Sequence, residues 1–208
     1  MKLGTIAASV ALLACAGSAF AQSSYVGVGV LRGGISGPGL SATILGTAVN
    51  GTGDKTTATG AKVYGGYNFD QNWGMELGYN NLGNKYSVHG YVGPTPYGIS
   101  MKASNWYLAG TGTLPLSKEF SLLAKLGVAA NRAEGGTACV LVDCVSVGSK
   151  NRSQLMYGVG ASYAFSKNWG ARLEYEHFGK LSNDNFWGVG TGGAIKGSAG
   201  TLSAKYTF

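Results

Sequence analysis

Six charged residues, Lys62, Glu76, Lys125, Arg172, Glu174 and Lys205, stand in stretches where apolar residues alternate with glycine, small polar or charged ones. Alternation places such charges on one side of a strand. If that side faces an enclosed space, opposite charges must pair, because an isolated buried charge is far costlier than a paired one. The chemistry this pattern points to is therefore charge pairing that fills an enclosed space, favoured over a gate that opens to conduct ions, with Glu176 on the same side nearer the outer end. Catalysis needs a different constellation. The chain has two histidines, His89 and His177, and the thin pairing of His177 with Asp184 is the only arrangement resembling a hydrolase acid-base pair. Cys139 and Cys144 are spaced C-x4-C, and both histidines lie far from them in sequence, so four zinc ligands do not come together. No catalytic residue, metal or cofactor is expected.

The amino terminus tells where these residues are delivered. Lys2, an apolar stretch from Leu3 to Ala14 and the ending Ala19-Phe20-Ala21 fit a secretory signal peptide over residues 1–21, which leaves 22–208 as the mature part. A competing reading takes Leu12-Leu13-Ala14-Cys15 as a lipobox, with Cys15 acylated; the intact A-x-A site favours the first. Export to an oxidising compartment makes a Cys139–Cys144 disulfide, closing a loop tip, the expected state of the two remaining cysteines. With 36 glycines, four prolines and only 12% charged residues, the composition is unlike that of a soluble globule. The excess of basic residues is scattered singly, so nucleic acid is not an expected partner.

The elements carrying the charges read as strands. Trp73, Met75, Leu77 and Tyr79 alternate with Gly74, Glu76, Gly78 and Asn80, and the same dyad runs from Trp169 to Glu176 and from Gln154 to Phe165. Eight segments follow: Ser24 to Arg32, Thr59 to Phe69, Trp73 to Leu82, Ala103 to Leu116, Phe120 to Arg132, Ser153 to Phe165, Trp169 to Phe178 and Ala199 to Phe208. Three connections, Asp70 to Asn72, Ser117 to Glu119 and Ser166 to Asn168, are tight turns; the other four are long. Short turns at one end and long loops at the other are the asymmetry of an outer-membrane barrel, and closing the sheet removes the edges that hydrocarbon cannot tolerate. Tyr67 to Gly83 also matches Tyr163 to Gly179 without a gap at an offset of 96 residues, each copy a strand end, a tight turn and a strand. Its aromatics, joined by Tyr25, Phe120, Tyr206 and Phe208, are expected to form a belt at the short-turn interface. A soluble sandwich core is the competing use of these rings, and it leaves the glycine-rich faces unexplained.

The segment Gly60 to Phe69, the N-W-G-x-x-L-x-Y starts at Asn72 and Asn168, and the ending Leu202-Ser203-Ala204-Lys205-Tyr206-Thr207-Phe208 together resemble the OmpA-like transmembrane barrels, specifically the short outer-membrane β-barrel proteins. The resemblance implies an eight-stranded antiparallel up-and-down barrel in the cell outer membrane, reached through the periplasm. It implies outer-membrane lipids and lipopolysaccharide as surroundings and a lumenal ion-pair network. Leu202, Ala204, Tyr206 and Phe208 would be the signal read by the barrel-assembly machinery. Two-domain relatives carry a peptidoglycan-binding domain after the barrel; with this chain stopping at Phe208, tethering by that route is not expected. His177-Phe178-Gly179 departs from the histidine-x-serine pattern of barrel-type lipid A deacylases, so a lipid-modifying enzyme is the least favoured function. The expectation is a structural or envelope-stabilising barrel with at most weak pore activity, because eight strands enclose just enough room for side chains. The alternative is an adhesin that binds a host or cell-surface ligand through its loops Gly33 to Thr57, Ser87 to Met101 and Gly135 to Lys150.

Overall fold

The computed structural model describes residues 23–36, 40–44, 47–53, 56–92, 95–135, 137–140, 143–146, 149–180 and 196–208. The strands are β1 Ser23–Ser36, β2 Leu40–Ile44, β3 Thr47–Gly53, β4 Thr56–Asn68, β5 Trp73–Val92, β6 Thr95–Pro115, β7 Phe120–Gly135, β8 Thr137–Val140, β9 Asp143–Ser146, β10 Ser149–Ala164, β11 Trp169–Lys180 and β12 Lys196–Thr207. Each of β4, β1, β12, β11, β10, β7 and β6 pairs with the next, β5 pairs with both β4 and β6, and the eight close into an antiparallel barrel.

Period-two patterning decides which way each side chain faces. Val28, Val30, Val63, Leu77, Leu126, Val159, Leu173 and Leu202 are each about half or more exposed, pointing outward as a lipid-facing band. Between them most inward positions are glycine, polar or charged, and Lys62, Glu76, Lys125, Arg172, Glu174 and Glu176 are almost fully covered. Three tight turns start with the same device. The Asp70 Oδ1 accepts hydrogen bonds from the Asn72 and Trp73 amides, the Ser117 Oγ from those of Glu119 and Phe120, and the Ser166 Oγ from that of Trp169. A short acceptor side chain three residues before an aromatic thus fixes each reversal.

At the opposite end the strands run further than their alternation indicates. The Ser87 to Met101 stretch, expected as a loop, continues the β5–β6 ladder from Tyr86↔Met101 to Val92↔Thr95. The Gly33 to Thr57 stretch contains the β2–β3 hairpin, and β3 pairs with β5 through Gly51↔Gly90, Thr52↔His89 and Gly53↔Val88. Among the described residues the β4–β5 ladder ends at the Ala61↔Asn81 pair, and further along β5 its partner is β3. The Gly135 to Lys150 stretch contains the β8–β9 hairpin. Backbone pairing needs no apolar side chain once a neighbouring strand supplies the ladder, so these stretches pair although expected as loops.

The internal match acquires a structural meaning. Its two copies are the hairpins β4–β5 and β10–β11, with Tyr67↔Met75 in one corresponding to Tyr163↔Ala171 in the other. Strands β5 and β11 lie diametrically opposite in the ring, four steps apart either way. Each copy ends on a glycine with positive φ, 79° at Gly83 and 70° at Gly179, and the ladder shifts register at both places. These are bulges at which each strand leaves the regular barrel, in a backbone conformation glycine adopts without a Cβ penalty.

Candidate functional site: the charged lumen

The inward faces of β4, β5, β7 and β11 converge on one buried cluster. Glu76 is fully covered, and both of its oxygens are used. Its Oε1 accepts from Lys125 Nζ at 2.5 Å and from the Tyr107 hydroxyl at 2.6 Å; its Oε2 accepts from Arg172 NH1 at 2.6 Å and from the Tyr25 hydroxyl at 2.9 Å. Glu76 and Arg172 occupy equivalent positions of the two repeat copies, 96 residues apart. The pseudo-twofold arrangement brings these opposite charges together across the lumen. Lys62 Nζ binds Glu174 Oε2 at 2.8 Å and Glu176 Oε1 at 2.7 Å, and Lys125 also contacts Glu174 and reaches Glu176 at 3.2 Å. Three carboxylates thus meet three cations, all at most 4% exposed, so each buried charge has opposite charges beside it to offset its desolvation.

Three tyrosines complete the layer, and each is seated by a glycine. Tyr25 stands directly opposite Gly66 on the neighbouring strand, Tyr64 opposite Gly27 and Tyr107 opposite Gly78. A Cβ at any of these glycines would run into the tyrosine ring lying over it. The rings lie beneath the cations, with Arg172 4.9 Å from the Tyr64 centroid and 5.1 Å from that of Tyr25, and Lys62 5.2 Å and 5.3 Å from Tyr64 and Tyr107. The assignment of Tyr25 to the interfacial belt is corrected: it is 2% exposed and points into the lumen. The signal lay in its own strand, where Tyr25 shares a face with Gly27, Gly29 and Leu31 while Val26, Val28 and Val30 share the other.

Above this layer the lumen is narrowed by Leu31, Leu82, Met156 and Phe178, none more than 1% exposed. Leu82 and Phe178 each precede a bulge glycine in the two repeat copies. Asn80, Asn105 and Asn131 form a row of cross-strand partners at the same level, Asn80 Nδ2 donating to Asn105 Oδ1 at 3.1 Å. The carboxylates of Glu76, Glu174 and Glu176 lie close enough to share a metal ion, with oxygens within 4.8 Å. That space is already crossed by the Lys62 and Lys125 ammonium groups, so the donor set fits ion pairing better than a cation site.

The remaining sequence-selected residues fall elsewhere. Lys205 faces the lumen near the short turns, makes none of the ion pairs above, and lies 5.5 Å from the Tyr25 ring centroid. Leu202, on the outer side of β12, and Phe208, just after its end, are more than 60% exposed, and Tyr206 packs against Trp169 and Phe208 at centroid distances of 5.0 and 5.1 Å. Ala204 shares their outward face. His177 faces outward against Tyr157, its centroid 5.1 Å away. Asp184 and residues 1–22 lie outside the described residues, as does the side chain of His89. Cys139 and Cys144 are direct backbone partners in the β8–β9 hairpin, and their side chains also lie outside the described residues.

An eight-stranded barrel with an apolar outer band and a charge-filled lumen is the architecture of a small integral outer-membrane protein. The chain belongs to the family described as outer membrane protein beta-barrel domain, whose model matches residues 7–208. It is 31% identical over 164 residues to outer membrane protein A of Serratia marcescens, covering 75% of this chain and 39% of that protein. To outer membrane protein A of Yersinia pseudotuberculosis it is 32% identical over 118 residues, covering 56% of this chain and 32% of that one. The chain thus spans about a third of the length of the curated relatives it matches. The crystal structure of the outer membrane protein OprG from Pseudomonas aeruginosa shares the fold, with a TM-score of 0.58 at 14% identity over 91% of this chain and 98% of that one.

Proposed function

We propose that the protein is a closed structural barrel of the outer membrane that supports envelope integrity and conducts ions only weakly. The observation that carries this reading is the neutral six-charge cluster, covered to at least 96% and tied across the lumen by Glu76 and Arg172. For an ion to pass, several mutually satisfied buried charges would have to separate together, and each separation leaves a desolvated charge without its partner. No catalytic role is assigned to His177, whose ring packs outward on Tyr157. A gene-deletion strain tests the reading: it should become more permeable to bulky antibiotics and more sensitive to detergent, and plasmid-borne wild type should restore the barrier. A deletion strain with an intact barrier would overturn it.

A second reading, surface recognition, is favoured by one feature. Strands β5 and β6 are 20 and 21 residues long. At about 3.4 Å per residue and a tilt of about 40°, β5 rises roughly 50 Å, about twice the apolar band of an outer-membrane barrel. Such a paired stem holds its tip well clear of the lipid. Loss of attachment to cells or matrix on removal of 84–101, with the barrier intact, would make recognition the primary role.

A further inference from the structure

The lumenal charges balance without Lys205, which makes it a surplus cation inside the barrel. Lys62, Lys125 and Arg172 are matched by Glu76, Glu174 and Glu176, and none of these pairs includes Lys205. Lys205 lines a cavity of about 310 Å³ at the short-turn end of the lumen, below the charge layer. The rest of that wall is rich in hydroxyl donors, among them Thr111, Thr113, Ser121 and Ser162. Arg172 lines the cavity too, and its Nε, buried in a residue only 4% exposed, has no hydrogen-bond partner among the described residues. The wall includes one carboxylate, that of Asp70, whose Oδ1 is already held by two amides of its own turn at 2.7 Å each. A partly covered ammonium, an unused guanidinium N–H and several hydroxyls give this concavity two cationic groups against the single carboxylate of Asp70. A ligand bearing oxygen acceptors and negative charge complements it, and the volume is that of a small molecule instead of a single water.

We propose that this vestibule is a binding site for a small oxyanion, a carboxylate or a phosphate, with Lys205 as its charged contact and the Arg172 Nε–H and the threonine and serine hydroxyls as its hydrogen-bond donors. The short turns of an outer-membrane barrel face the periplasm, so the ligand is drawn from that side. The site does not depend on whether the barrel conducts, because it lies on one side of the charge layer. It has a consequence for that layer: an anion bound to Arg172 competes with Glu76 for the same guanidinium.

The test is a titration of the isotopically labelled, refolded full chain in detergent micelles. Inorganic phosphate and acetate are added in separate arms at constant ionic strength, and the amide signals of Thr111, Thr113 and Ser121 are followed. Saturable shifts in the phosphate arm assign a phosphate site, and saturable shifts in the acetate arm a carboxylate site. Either affinity should fall about tenfold or more in Lys205→Gln, and should be largely kept in Lys205→Arg. Thr113→Val, which leaves every ion pair in place, should weaken binding by a smaller factor. Heat-modifiable gel migration shows that each variant is folded. Shifts that grow linearly without saturation in both arms, or affinities unchanged by Lys205→Gln in the folded barrel, would overturn the proposal.

Discussion

Replacing Glu76 by glutamine keeps the shape of the side chain and removes the charge that two lumenal cations share. The loss is not spread evenly. Lys125 retains Glu174 and Glu176, the latter at 3.2 Å, whereas Arg172 is left with Glu174 Oε1 at 3.6 Å, too long for a direct hydrogen bond. The new amide also directs an N–H group toward donors, since the Tyr25 and Tyr107 hydroxyls and both cations all donate to Glu76. Breaking a buried pair from one side costs about 3–5 kcal/mol. At about 1.4 kcal/mol per decade that is roughly two to three and a half decades in the unfolding equilibrium. Equilibrium urea unfolding in lipid vesicles, followed by tryptophan fluorescence, measures it. Glu119→Gln, in an exposed turn, serves as the control and should stay within about 0.5 kcal/mol of wild type. Adding Arg172→Met to Glu76→Gln removes the stranded cation and should recover about 1–3 kcal/mol. A Glu76→Gln barrel within about 1 kcal/mol of wild type, or no recovery in the double variant, would refute the assignment of the layer's stability to these pairs.

Three further outcomes follow from the geometry. Gly27→Ala places a Cβ in the Tyr64 ring and should cost about 1–3 kcal/mol in the same unfolding assay, with most of the loss cancelled in a Tyr64→Ser background. Gly179→Ala, at a φ of 70°, should cost about 1–2 kcal/mol, whereas Gly34→Ala, which meets nothing within 4 Å, should be close to neutral. Direct backbone partners in an antiparallel pair have Cα atoms about 4.5–5.5 Å apart, within disulfide range, so Cys139 and Cys144 in protein purified from the membrane should react with maleimide only after reduction.

Alternation in Trp73 to Asn81 and Trp169 to His177 was enough to place Glu76, Arg172 and Glu174 on the lumenal side, because those strands separate bulky outward residues cleanly from small or charged inward ones. Tyr25 was not legible in the same way. By residue type alone a tyrosine near a strand end fits an interface belt as readily as a lumen; its face is set by the small residues Gly27 and Gly29 that share it, and the cross-strand Gly66 opposite seats the ring. The offset of 96 residues already relates Glu76 to Arg172, yet their meeting depends on β5 and β11 being diametrically opposed, a property of ring order and not of either segment. Lys205 illustrates the converse limit. It has the correct face of β12 but sits at a different height along the axis, and strand tilt, which sets that height, leaves no mark in local sequence. The stem formed by β5 and β6 was hidden because Gly90, Gly93, Pro94, Pro96 and Gly98 read as turn signals, although Tyr97, Ile99 and Met101 alternate with Gly98, Ser100 and Lys102.

The closed lumen is tested most directly by single-channel recording of the purified, heat-modifiable barrel in planar bilayers. Wild type should give at most rare, small steps, and Glu76→Gln should give more frequent or larger ones, because the carboxylate bonded to both Lys125 and Arg172 within 2.6 Å has lost its charge. Large, steady conductance from wild type, unchanged by Glu76→Gln, would contradict a lumen closed by its ion pairs.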